Sequence, residues 1–109
     1  MSKIKLLFYI ITLVFIYSHN TIAQTQNTNI DGLVIKDFGC SIYGNITGNI
    51  VNRTSQNINK TIFIKVFDSD LDPIGSCEKP LNLEANSGKR IVVSGCNCFD
   101  GKSYKVIAR

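Results

Sequence analysis

The most reactive side chains in this sequence belong to four cysteines, Cys40, Cys77, Cys96 and Cys98. An even number of cysteines in a short exported chain is typical of structural disulfides. A four-thiolate zinc site fits less well, because paired zinc ligands usually have about two to four residues between them, whereas Cys96 and Cys98 have one. A redox pair of Cys96 and Cys98 needs a helix N-terminus or a cationic neighbour, but no helix is expected after Cys98, and Phe99 and Asp100 carry no positive charge. We therefore predict two structural disulfides.

The remaining residues give little support for catalysis. His19 is the only histidine, and its loss with an N-terminal leader would remove the imidazole of any Ser-His-Asp triad, Cys-His pair or histidine metal site. Residues 68–72 carry aspartates at alternate positions, as at the start of a calcium loop. However, Pro73 and Lys79 occupy the positions of the EF-hand glycine and glutamate, so we interpret the segment as a turn. The sequence predicts no enzyme, no catalytic residue, no cofactor and no metal site.

The N-terminus has the features of a secretory signal peptide. Two lysines precede an apolar run of twelve residues, 6–17, whereas a membrane-spanning helix needs about 20. Small residues at Thr21 and Ala23 fit a signal-peptidase site, so cleavage is expected between Ala23 and Gln24. We predict a signal-peptide helix over residues 1–23, a secreted or periplasmic mature protein, and no stable membrane insertion after cleavage.

Cleavage would leave a small, weakly charged chain. Removing 23 of the 109 residues leaves 86, and the loss of the two N-terminal lysines lowers the net charge from +4 to +2. That charge does not indicate a nucleic-acid interface, so the expected partner is an unidentified protein. Because a domain of this size buries only part of its unfolded surface, disulfides would add substantially to its stability.

The mature chain has the pattern of short β-strands joined by turns. Ile46 and Ile50 alternate with polar residues and share one face, and Ile62, Ile64 and Val66 share one face of a second strand. Strands are expected over residues 33–40, 44–52, 61–67, 74–83, 90–94 and 104–108.

No segment after residue 23 has the apolar period of a helix. Six or seven short antiparallel strands at roughly ten-residue spacing predict an all-β sandwich or barrel. Pro80 cannot donate to a strand ladder, so the second half of its strand is expected at a sheet edge. The polar segment 24–31 is expected to be a flexible lead-in, and residues 32–109 are expected to form the folded domain.

Residues 44–88 contain three motifs in a characteristic order. Residues 48–52 read GNIVN, an apolar strand ends in Val-Phe-Asp at 66–68, and residues 83–88 read LEANSG. In this order they resemble the FxLYD family of small extracytoplasmic β-sandwich domains, although that family usually has Phe-Tyr-Asp in the second motif and a proline in the third. The resemblance implies an immunoglobulin-like Greek-key sandwich and an adhesive or assembly role. It carries over no catalytic residue.

The resemblance also bears on the pairing of the cysteines. A Cys96–Cys98 bond would close a strained ring, which leaves two connectivities. In an immunoglobulin-like order, strand 90–94 ends near Cys40, and the chain after Cys96 crosses towards the sheet that holds Cys77. This order favours Cys40–Cys96 with Cys77–Cys98 over Cys40–Cys98 with Cys77–Cys96.

The sequence as a whole indicates an exported, disulfide-stabilised β-sandwich module for protein binding or for envelope or extracellular assembly, without catalysis. The alternative is a thiol-redox or metal-handling protein that uses Cys96 and Cys98. A small inhibitor or toxin-like effector would have the same sequence features as the binding module.

Overall fold

The computed structural model describes residues 24–109, which form seven β-strands. Residues 24–109 contain no helix, and therefore none long and apolar enough to cross a membrane, so the all-β prediction is confirmed. The predicted signal-peptide helix over residues 1–23 lies outside the described residues, as does Ala23 of the cleavage site. In chain order the strands are β1 (Gln24–Asn27), β2 (Leu33–Cys40), β3 (Ile46–Asn52), β4 (Ile58–Phe67), β5 (Pro73–Leu83), β6 (Ser87–Val93) and β7 (Ser103–Ala108).

The strands form two antiparallel sheets that share one core. One sheet has four strands in the order β1-β2-β3-β6, and the other has three in the order β5-β4-β7. Ile35 and Ile50 of the first sheet and Ile64 and Val106 of the second belong to the same cluster of buried side chains. This sandwich-like arrangement agrees with the six to seven antiparallel strands expected from the sequence.

Alternation in the sequence correctly identifies the buried faces of β3 and β4. Ile46 and Ile50 of β3 are fully buried, as are Ile62 and Val66 of β4, and Ile64 is 1% exposed. Successive side chains of a strand point to opposite faces, so a period of two places all five in the space between the sheets.

The position of β5 confirms the prediction made from Pro80. β5 pairs only with β4 and forms an edge of the three-stranded sheet. An edge strand tolerates a residue that lacks an N–H, because one side of the strand needs no ladder partner. β6 is longer than expected, since it begins at Ser87 rather than at Arg90.

The segment 24–31 differs from the flexible lead-in that the sequence predicts. Its first four residues form β1, which pairs with β2, so residues 24–31 are part of the folded domain rather than a flexible lead-in to it. The Asn29 amide accepts the N–H of Ala108 at 2.6 Å and donates to the carbonyl of Ala108 at 3.1 Å. The Gln26 amide donates to the carbonyl of Tyr104 at 3.4 Å. These polar side chains satisfy backbone groups on the outer edge of β7, which explains why a polar segment is ordered.

Candidate functional site

Three loops meet at one end of the sandwich. They are the β2–β3 turn (residues 41–45), the β4–β5 turn (residues 68–72) and the β6–β7 loop (residues 94–102). They meet because Ile46 at the start of β3 pairs with the ends of β2 and β6, while Phe67 at the end of β4 pairs with the starts of β5 and β7. We call these three loops the disulfide end.

Two disulfides connect the β6–β7 loop to both sheets. Cys40 of β2 is bonded to Cys98, and Cys77 of β5 is bonded to Cys96. No described cysteine is free, so the prediction of two structural disulfides is confirmed. The pairing that the sequence favours, Cys40–Cys96 with Cys77–Cys98, is wrong, and the other connectivity is present.

The pairing differs because the chain crosses between the sheets earlier than expected. The crossing occurs between the end of β6 and Cys96, so that Cys96 already lies against β5. A Cβ atom on Gly75 of β5 would overlap the carbonyl oxygen of Cys96, so only glycine permits this approach. The chain then turns at Asn97, where φ is +53°, and brings Cys98 back to Cys40.

The disulfide geometry gives no support to thiol chemistry at Cys96 and Cys98. The two residues belong to different disulfides, and their exposed fractions are 0% and 1%. Redox cysteines are usually accessible and next to their resolving partner. A sulfur held in a disulfide is not the thiolate that zinc binds, so the same pairing argues against a four-cysteine zinc site.

The disulfide end displays four large apolar side chains to solvent. Ile42 is 82% exposed, Tyr43 78%, Leu71 71% and Phe99 60%. Among the described residues, the remaining large apolar side chain with comparable exposure is Val92 of β6, at 46%. Exposed apolar side chains gathered in one place, rather than scattered singly, mark interaction surfaces.

Close contacts hold the β2–β3 turn against the β6–β7 loop. The Ser41 hydroxyl oxygen accepts the backbone N–H groups of Tyr43 and Asn45, both at 3.2 Å. Gly44 has a φ of +79°, and a Cβ atom there would lie 2.7 Å from the ring of Phe99. The Phe99 ring therefore rests directly on the backbone of the turn, and a larger residue at position 44 would displace it.

The β4–β5 turn presents Leu71 between acidic side chains. The Asp68 carboxylate accepts the backbone N–H groups of Asp70 and Asp72, both at 2.9 Å, as expected for a turn built on an aspartate. Leu71 has a φ of +67°, which is unfavourable for a leucine and is stabilised by these hydrogen bonds. The carboxylates of Asp68, Asp70 and Asp72 lie within 4.8 Å of one another.

Tyr104 lies beneath the disulfide end, near the start of β7. Its ring packs edge-on against Phe38 of β2, with 4.8 Å between the centroids. Burial disfavours the charged phenolate and raises the pKa of Tyr104 above its usual value of 10.0.

The opposite end of the sandwich is organised by a buried amide. Asn52 is fully buried, and its amide nitrogen donates to the carbonyls of Gln56 and Glu84 at 2.9 and 3.0 Å. Its oxygen accepts the backbone N–H and the hydroxyl of Thr54 at 3.0 and 2.6 Å. We call this region the polar end, and its loops are residues 28–32, 53–57 and 84–86.

Sequence reasoning places the four cysteines and the aspartate turn at the site, but it does not identify Ile42, Tyr43, Leu71 or Phe99. Each lies in a short loop, where period-two alternation has no meaning. A usable signal is present, since each is a large apolar residue inside a segment whose neighbours mark a turn. A large apolar side chain in such a turn is too far from the core to be buried, so it is expected to be exposed.

Comparisons of this chain with protein-family models, with curated proteins and with solved structures find no match. The function must therefore be inferred from the geometry described above.

Proposed function

We propose that this protein is an exported, disulfide-stabilised module that binds a protein partner through the disulfide end, in adhesion or extracellular assembly and without catalysis. The observation that carries the proposal is the group of exposed apolar side chains, Ile42, Tyr43, Leu71 and Phe99, on loops that are held by disulfides or, at Leu71, by the hydrogen bonds of Asp68. Loops fixed before binding lose less conformational entropy in a complex, so their apolar contacts contribute more to affinity.

An immunoglobulin-like Greek-key order is part of the proposal. The orders β2-β3-β6 and β5-β4-β7 correspond to strands A-B-E and C′-C-F of an immunoglobulin sandwich, with β1 as an added edge strand. This correspondence supports the resemblance to FxLYD-like domains. In such sandwiches the loops at the ends commonly form the binding surface.

Secretion or periplasmic residence is supported by the cysteines. Disulfides such as these two persist in an oxidising compartment, whereas the cytosol of most cells is reducing. The exposed apolar loops would encounter their partner there. Cleavage between Ala23 and Gln24 would release a chain whose first residues enter β1 directly.

Site-specific photo-crosslinking tests the proposed surface. A photoreactive phenylalanine analogue replaces Tyr43 or Phe99 in the protein produced by its own host. We expect a discrete covalent adduct with a second protein from both positions, because both side chains face solvent at the disulfide end. The matched control is the same analogue at Ser55, an exposed position in the loop 53–57 at the polar end.

Competition establishes whether the adduct is specific. Excess unlabelled wild-type protein should suppress it, and a Tyr43→Ser, Phe99→Ser variant should not. Adducts of equal yield from positions 43 and 55, or no adduct from positions 43 and 99, would contradict binding through the disulfide end.

A further inference from the structure

The outer face of the three-stranded sheet combines apolar and basic side chains. Phe63, Lys65 and Phe67 of β4 alternate with the buried residues of that strand, and Lys105 and Ile107 of β7 lie beside them. Together with Arg109, these side chains line one groove. We call this surface the basic face.

Positive charge is concentrated at the middle of the basic face. Lys65 and Lys105 are direct cross-strand partners, and like charges directly opposite each other destabilise a sheet. One step along the ladder, Phe63 is opposite Ile107, and the Arg109 guanidinium lies 4.6 Å from the centre of the Phe63 ring. On the β5 side Phe63 is opposite Glu78, so the face offers an apolar patch bordered by three cations and one acid, with a positive net charge.

The β4–β5 turn of the same protein has the complementary chemistry. Leu71 projects into solvent, and the carboxylates of Asp68, Asp70 and Asp72 are clustered within 4.8 Å. That clustering is also repulsive in the isolated molecule. The turn is thus an apolar side chain bordered by acids, and the basic face is an apolar groove bordered mainly by cations, with Glu78 as its one acid.

We propose that the turn of residues 68–72 of one molecule docks on the basic face of a second copy of this chain. Leu71 contacts Phe63 and Ile107, while Asp70 and Asp72 face the lysine pair. Residues two apart in a chain span at most about 7 Å, and opposed residues in a sheet lie roughly 5 Å apart, so two carboxylates can reach two lysines. The contact relieves the repulsion on both surfaces, and opposite charges also orient the encounter.

The geometry favours head-to-tail rather than face-to-face association. A two-fold dimer of basic faces would bring Lys65 and Lys105 of one copy towards the same residues of the other. In the head-to-tail contact each copy uses its turn on one neighbour and its basic face on another, which produces an open chain or a ring. This inference goes beyond the proposed function, because the basic face is a separate surface and only Leu71 belongs to both.

Sedimentation velocity of the purified disulfide-bonded protein over a range of concentrations tests the proposal. We expect the mean sedimentation coefficient to rise with protein concentration. The apparent dissociation constant should increase at least about tenfold from low to high salt, because salt screens exposed charge pairs. The Val92→Ser variant should behave like wild type. A wild-type protein that stays monomeric at millimolar concentration would overturn the proposal.

Complementation between two defective variants gives a sharper test. Leu71→Ser retains the basic face but lacks the apolar tip of the turn, and Lys65→Glu with Lys105→Glu retains the turn but lacks the face. Each variant alone should be monomeric. An equimolar mixture should form a one-to-one dimer and nothing larger, because it contains one working turn and one working face. A mixture that stays monomeric while wild type associates would contradict the head-to-tail contact.

Folding and partner binding are checked in the same variants. Both should retain the wild-type thermal midpoint and no free thiol, and a charge exchange that adds Asp70→Lys and Asp72→Lys to the lysine variant should restore association. The photo-crosslink from position 43 should persist in the lysine variant. Loss of self-association with the crosslink intact supports this inference, and loss of the crosslink alone tells only against the proposed function.

Discussion

At the disulfide end, two covalent bonds attach the β6–β7 loop to both sheets, whereas at the polar end a single buried amide connects the loops 53–57 and 84–86 by hydrogen bonds. The loop with Cys96 and Cys98 is attached to both sheets, and its neighbours expose Ile42, Tyr43 and Leu71. Around Asn52 the chain satisfies its own polar groups and exposes no comparable apolar side chain within the described residues. At the disulfide end, apolar loop side chains therefore remain free to contact another molecule. At the polar end, the loop side chains form hydrogen bonds with neighbouring loops of the same molecule.

The largest expected effect is the loss of the Cys40–Cys98 bond. Its cysteines are 58 residues apart, and closing a loop of that size removes about 4 kcal/mol of unfolded-state entropy in the chain-entropy model. The Cys40→Ala, Cys98→Ala variant should lose most of that stability in urea denaturation and should release the apolar loops. An unchanged denaturation midpoint would contradict the structural role of this bond.

Removal of the Cys77–Cys96 bond should have a smaller effect. The sequence separation is 19 residues, for which the same model gives about 3 kcal/mol. Urea denaturation of Cys77→Ala, Cys96→Ala beside the first variant tests this order. If removing the Cys77–Cys96 bond destabilises the protein more than removing the Cys40–Cys98 bond, the packing of the buried sulfurs contributes more to stability than loop closure does.

At the polar end, Asn52→Ala should cost about 2–3 kcal/mol. The substitution removes the four hydrogen bonds of a fully buried amide and leaves the Thr54 N–H without its acceptor. The carbonyls of Gln56 and Glu84 can still accept the hydroxyls of Thr54 and Ser87, so the cost is that of the lost bonds, about 0.5–1.5 kcal/mol each. The matched control is Asn49→Ala, which removes one exposed hydrogen bond to Asp37 and should cost well under 1 kcal/mol. Equal shifts in the urea midpoint would show that Asn52 does not organise the polar end.

The Ile42→Ser substitution separates stability from binding at the disulfide end. Because Ile42 is 82% exposed, its replacement should change the free energy of unfolding by less than about 0.5 kcal/mol while weakening partner binding. Thermal denaturation and the crosslinking yield from position 43 are measured on the same preparation. A large loss of stability would mean that Ile42 supports the fold rather than a contact.

The smallest effect is expected at alkaline pH, beneath the disulfide end. Burial raises the pKa of Tyr104, so the folded state resists its ionisation more than the unfolded state does. Stability from this residue is fully present below about pH 10 and falls as the pH rises through the higher folded pKa. Denaturation midpoints measured on either side of pH 10 should therefore decline less in Tyr104→Phe than in wild type. Identical declines would contradict the raised pKa.

The sequence predicts the core strands well and the ends poorly, for physical reasons. Alternation along β3 and β4 follows directly from burial of one face, so Ile46 and Ile64 could be assigned. The strand β1 could not be assigned, because Gln26 and Asn29 stabilise this segment through side-chain hydrogen bonds to the edge of β7, which is distant in the sequence. Long-range hydrogen bonds of this kind leave no periodic pattern.

The disulfide pairing could not be predicted because it depends on where the chain crosses between the sheets. That point depends on the close approach of Cys96 to Gly75, a contact between segments about twenty residues apart. Immunoglobulin-like order indicates which sheets the cysteines join, but it does not fix the crossing to within two residues. An error of two residues exchanges Cys96 and Cys98.

Asn52 has a further consequence for production of the protein. With Arg53 and Thr54 it forms an Asn-x-Thr acceptor for N-linked glycosylation. In the folded protein its amide nitrogen is buried and donates two hydrogen bonds, while the Thr54 hydroxyl is bonded to its oxygen, so an oligosaccharyltransferase cannot use it. A glycan attached before folding would keep this side chain in solvent and prevent the loops from closing over it. In a eukaryotic secretory host, chains modified at Asn52 should therefore be retained as misfolded protein, and secreted molecules should carry an unmodified Asn52.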